Sequence, residues 1–179
     1  LFAERMRRMF GMLKDLLHAT NENDFNKLFS RIEKYENISD SMELEIANYL
    51  NKVSEGRLSS ESKLEIRGML REVTEIESIG DSCYNLARTI NRKRSGGNDF
   101  TEKQYEHIHQ MMQLTDDALA QMIAIVEDDY HVVDVNKTFN LENEINNYRA
   151  QLKNQNVVDV NNKEYDYQMG VHYMDLIGE

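Results

Sequence analysis

Two short runs place carboxylates one helical turn apart. YENISDSMELEI, residues 35–46, holds Glu36, Asp40 and Glu43. TEIESIGDSCYNLAR, residues 74–88, holds Glu75, Glu77 and Asp81 around Gly80. Positions i, i+4 and i+7 share one face of a helix. Each E-x-x-x-D pair spans about 6 Å along the axis. The acids lie one position beyond apolar residues, Tyr35 and Met42 in the first run and Ile76 in the second. If the two helices are antiparallel neighbours, Glu36, Asp40, Glu77 and Asp81 converge across a groove, with Glu43 and Glu75 as further donors. Such a cluster stays ionised only when a cation offsets the repulsion. Oxygen ligands favour hard ions: Ca²⁺, Mg²⁺, Mn²⁺ or iron. Gly80 would let another helix or a ligand approach closely. The competing reading is a solvated face, since acidic i, i+4 pairs are common in acidic proteins. Recurrence of the pair on consecutive helices, beside the apolar stripe each time, favours the cation.

Other residue patterns carry less chemistry. Glu106-x-x-His109 matches half of a di-iron carboxylate site, which needs a second such motif and two more carboxylates. Asp15-x-x-His18 and Asp128-x-x-His131 are only approximate partners. His107, His109 and His172 read as surface or interface residues. Cys83, the single cysteine, excludes a disulfide framework and a CxxC zinc site. It lies on an apolar stripe and reads as a small buried residue rather than a nucleophile. There is no glycine-rich phosphate loop, and Lys93 with Arg94 does not make a phosphate pocket. No residue is assigned a catalytic role.

The elements that must position these acids are helices. The chain of 179 residues has no proline, no tryptophan and ten methionines. Nothing breaks a helix, so the composition predicts an all-α protein. Apolar periodicity predicts helices over about 2–19, 24–54, 60–94, 101–130 and 133–155, and a sixth from near Lys163 that still runs at Glu179. NQNVVDVNN, residues 154–162, reads as a polar turn, and LSSES as the cap of the third helix. Gly56 ends the second helix. RSGGND, residues 94–99, is the Gly-Gly break and the expected domain boundary. It divides the chain into 1–95 and 96–179, two three-helix repeats of about 95 residues that pack as one six-helix bundle with a truncated last helix. The methionine stripes on the first and fourth helices read as core.

The net charge is −11, from 32 acidic against 21 basic residues. That excess disfavours nucleic acid and suits cations. No apolar run of membrane-spanning length occurs. The start at Leu1 and the helical finish suggest a piece of something longer. Aligning the repeats places Glu142, Asn146 and Arg149 on Glu36, Asp40 and Glu43. An amide is a weaker ligand than a carboxylate, and Arg149 repels a cation. The counterpart of Glu77 and Asp81 would fall just past Glu179. A second metal site is therefore expected to be incomplete.

The run EIESIGDSCYNLAR resembles the E-x-x-x-D signature of PhoU domains, at Glu77, Ile79, Gly80, Asp81, Asn85, Leu86 and Ala87. ENISDSMELEI is similar to the other helix motif of that family. The resemblance implies two three-helix repeats over the whole chain, with metal clusters of iron or zinc at the acidic motifs. It implies control of phosphate uptake rather than catalysis. MLREVTEIESIGDSCYNLAR looks most like the PhoU-type C-terminal domain of bacterial sodium/phosphate cotransporters. Arg5, Arg7 and Arg8 would suit a cytoplasmic position following a membrane span. The expectation is a metal-binding regulator at the cytoplasmic face of the inner membrane. Its partner would be a transporter membrane domain or a signalling protein, and it could form a homodimer. The bound ion would be divalent or trivalent: iron, zinc, Mg or Ca. The alternatives are a stand-alone PhoU-type regulator, a helical adaptor without metal and, remotely, a di-iron enzyme.

Overall fold

A computed structural model describes residues 1–127 and 135–179. Among the described residues there are six helices: α1 (Phe2–His18), α2 (Glu22–Ser54), α3 (Ser60–Ser95), α4 (Glu102–Glu127), α5 (Val135–Asn161) and α6 (Tyr167–Gly178). The all-α expectation holds. Two compact units divide the chain, Leu1–Tyr84 and Asn85–Glu179, and α3 passes from one into the other. The expected boundary, RSGGND, forms the turn between α3 and α4, where Gly97 takes a positive φ of 76°.

Local chemistry sets most helix ends. The Asn21 side chain accepts from the Asn23 and Asp24 N–H groups and starts α2. The Ser59 hydroxyl accepts from the Ser62 N–H at 3.1 Å, the cap read from LSSES. Asp166 accepts from the Met169 N–H at 2.7 Å and starts α6. Two sequence expectations fail near that start. Residues 154–161 continue α5 rather than turning, and α6 begins at Tyr167 rather than near Lys163. Asparagine favours turns through local hydrogen bonds, but here tertiary partners take them. Asn156 is buried, accepts from the Tyr165 hydroxyl at 2.7 Å and donates to the Gly170 carbonyl at 3.4 Å.

In the first unit α1 supplies the densest core. Met6, Met9 and Leu13 are fully buried, with Leu16 and Ile32 beside them in the core. This supports the core reading of the α1 methionines. With 17 residues α1 is about 25 Å long, whereas α2 with 33 is about 50 Å. The Arg5 guanidinium lies over the Tyr35 ring at 4.0 Å, so α1 covers only the first half of α2. Tyr49, Val53 and Met69, apolar residues at helical spacing on α2 and α3, are exposed. In the second unit α4 packs on α5 and both contact α6. Lys93 is buried at the α3 end of the turn, bonded to Asp99 and 3.1 Å from the Tyr105 hydroxyl. Burial works to raise the Asp99 pKa, but the bonds from Lys93 and Tyr105 outweigh it and hold it low.

Candidate metal centre

The α2–α3 pair is antiparallel within the first unit. Thr74 donates to Glu43 Oε1 at 2.8 Å, and Tyr84 donates to Glu33 Oε1 at 3.2 Å. Between these two bonds the helices meet at their smallest residues. Ser39 of α2 is fully buried, its hydroxyl returned to the Tyr35 carbonyl at 2.7 Å. Gly80 of α3 is buried beside it. A Cβ on Gly80 would stand 3.7 Å from the Ser39 Cβ and 3.0 Å from the Met6 sulfur. The glycine therefore admits neighbouring helices, and its expected use for a ligand gains no contact here.

The next residue on each helix is an aspartate, so the close approach brings Asp40 and Asp81 together. Ligand oxygens of Glu36, Asp40 and Asp81 all lie within 4.8 Å of one another. Glu77 completes the expected set from α3, close to Asp40 and Asp81. Of the second choices, Glu43 faces the groove and accepts from Thr74. Glu75 points elsewhere and pairs with Arg71 at 3.9 Å on an exposed face. Glu106 and His109 are exposed on α4, and Asp15 and His18 on α1. Asp128 and His131 lie outside the described residues.

Electrostatics sets this cluster apart from an ordinary acidic surface. Burial raises the Glu77 pKa to about 7, helped by Asp81, a hydrogen bond with Asp40, and Glu43. Burial likewise raises Glu36, with Asp40, Asp81 and Glu33 adding to it. Among the described residues none of the four forms an ion pair. The donor set fits a hard cation. Opposed ligands of Ca²⁺ are about 4.6–5.2 Å apart, given its bond lengths of about 2.3–2.6 Å. The three oxygens, all within 4.8 Å of one another, are close enough together to share one such ion.

Among the described residues, the second unit brings together no comparable group of three acids. Arg149 donates to Asn146 Oδ1 at 2.7 Å, so the aligned positions bond to each other. Glu142 and Asn146 border a separate cavity of about 180 Å³ with Leu141 and Ile145. The sequence reading missed one signal, the pentapeptides E-N-I-S-D and E-S-I-G-D at 36–40 and 77–81. They repeat one pattern, acid, then a small residue, then Asp, on two antiparallel helices.

The family model of the PhoU domain matches residues 4–90, so the chain contains a PhoU-like domain. The match spans α1, α2 and most of α3, and includes all four acids. PhoU domains form a regulatory, non-enzymatic family, and the match suggests a regulatory role in phosphate transport. No curated protein and no solved structure matches the chain significantly. Among the described residues no helix is long and apolar enough to cross a membrane.

Proposed function

We propose, from the PhoU-like domain at residues 4–90, that this chain is a non-catalytic, metal-binding regulatory domain that controls phosphate transport. Its partner is the membrane domain of a sodium/phosphate cotransporter, or a signalling protein, at the cytoplasmic face of the inner membrane. The observation that carries the reading is the convergence of Glu36, Asp40 and Asp81 within 4.8 Å, inside the family match. Glu36, Asp40, Glu77 and Asp81 would hold the ion. A bound divalent or trivalent cation, iron, zinc, Mg or Ca, would supply positive charge that offsets carboxylate repulsion and pins α2 to α3. Four carboxylates without imidazole or thiolate favour the harder ions of that set. The pinned helices would then present one fixed surface to the partner.

Elemental analysis of the purified chain tests the site. At least one equivalent of metal is expected in the native protein. Asp81→Asn combined with Glu77→Gln should reduce it at least tenfold, because two of four charged donors become weak amides. An unchanged metal content in that variant would sink the ligand assignment and leave a helical adaptor with a solvated acidic face.

A further inference from the structure

The capping box that opens α4 leaves one group without a use. Thr101 Oγ1 accepts from the Gln104 N–H at 3.2 Å, and Gln104 Oε1 accepts from the Thr101 N–H at 2.9 Å. Gln104 is only 3% exposed, and its Nε2 has no hydrogen-bond partner. A glutamate would close the same box and suit the positive helix end better. Glutamine instead puts an N–H donor where an unsatisfied one is costly. Burial and Asp159 raise the Tyr165 pKa to about 12, and the Gln104 amide works weakly against them. The Tyr165 hydroxyl thus lies near that amide, but outside hydrogen-bonding geometry.

Gln104 lines a cavity of about 280 Å³ within the second unit. That is the small end of ligand pockets, which run to about 300–1,000 Å³. Its lining carries both signs of charge, on different elements. Lys103, Gln104 and His107 come from the first turns of α4. Asp159 comes from the last turn of α5, and Glu164 from the segment that follows. Helix dipoles add to the contrast, positive at the α4 start and negative at the α5 end. Burial, and then Lys103, lower the His107 pKa, so its ring is neutral near pH 7. The Tyr173 hydroxyl and His107 Nδ1 are hydrogen-bonded at 2.9 Å. Gln155 donates to Asp159 Oδ1 at 2.7 Å.

We propose that this cavity binds a small zwitterion of the α-amino-acid class, its carboxylate on Gln104 Nε2 and Lys103 and its ammonium against Asp159 and Glu164. A free anion would meet the two carboxylates, and a simple cation would leave Gln104 unpaired. The ligand therefore needs both ends.

The test is isothermal titration calorimetry of the full chain against each of the twenty L-amino acids, with propionate and propylamine as half-ligand controls. At least one amino acid should bind saturably, with each half-ligand weaker by about tenfold or more. Gln104→Glu preserves the capping box, so its melting temperature should match the native protein while its affinity falls at least about tenfold. Asp159→Asn combined with Glu164→Gln should weaken binding at the ammonium end by a similar factor. Two results overturn the proposal: no saturable heat from any amino acid, which means a cavity holding water alone, or native affinity in Gln104→Glu.

Discussion

Single side chains show where the protein stores unfavourable charge. Glu77 has a folded-state pKa of about 7 against an ordinary value of 4.5, so the fold favours its protonated form. Its contribution to stability is complete below pH 4.5 and is lost as pH rises through about 7. Chelator-stripped protein should therefore melt at a lower temperature at pH 8 than at pH 5.5. Glu77→Gln should flatten that slope, because a neutral amide has nothing to lose. Thermal melts at both pH values check this, and an equal slope in the variant would remove Glu77 as its source. Cys83 makes the complementary case. Burial pushes its pKa to about 12, and the thiol is 2% exposed. Ellman's reagent should label it only after denaturant is added. The reading of Cys83 as a small buried residue was available from its place on the apolar stripe alone. The raised pKa of Glu77 was not, since its largest cause is burial, and Asp40 and Glu43 reach it only from α2.

At the scale of elements, helix identity was legible and helix company was not. Periodicity located all six helices because long amphipathic runs without proline admit little else. Tyr49 and Met69 follow the apolar spacing of α2 and α3 yet are exposed, because a stripe does not reveal how far a third helix extends. Residues 154–161 went wrong for a related reason: Asn156 reads as a turn former until Gly170 and Tyr165 are beside it. That contact gives a sharp expectation. A Cβ on Gly170 would stand 2.7 Å from Val160 Cγ2 and 3.2 Å from Asn156 Oδ1. Gly170→Ala should cost about 1–3 kcal/mol through overpacking, despite alanine's better helix propensity. Gly80→Ala meets one flexible methionine at 3.0 Å and should cost less. Urea titrations of the two variants rank them, and the opposite order would mean that the α5–α6 contact yields easily.

At the scale of the molecule, the two units differ in charge at the positions that the sequence alignment pairs. The first keeps Glu36 and Asp40 opposite Glu77 and Asp81. The second has Asn146 bonded to Arg149 where acids would be. That difference was legible early, because charge identity is written in the sequence. Which carboxylates touch was settled only by the Ser39–Gly80 approach. The metal response should accordingly be local. A metal at a hundred times its dissociation constant stabilises the state it binds by about 2.7 kcal/mol. Hydrogen–deuterium exchange of the full chain, metal-loaded against chelated, should show added protection at 36–43 and 74–84. Peptides covering 142–161 should exchange at the same rate in both. The helix α3 belongs to both units, so protection that travels along it would first reach residues just after Asn85. Protection confined to the second unit would refute the α2–α3 site. Protection at 36–43 and 74–84 that halts before 142–161 would mark the first unit as the cation-responsive half and leave the second free to read a different signal.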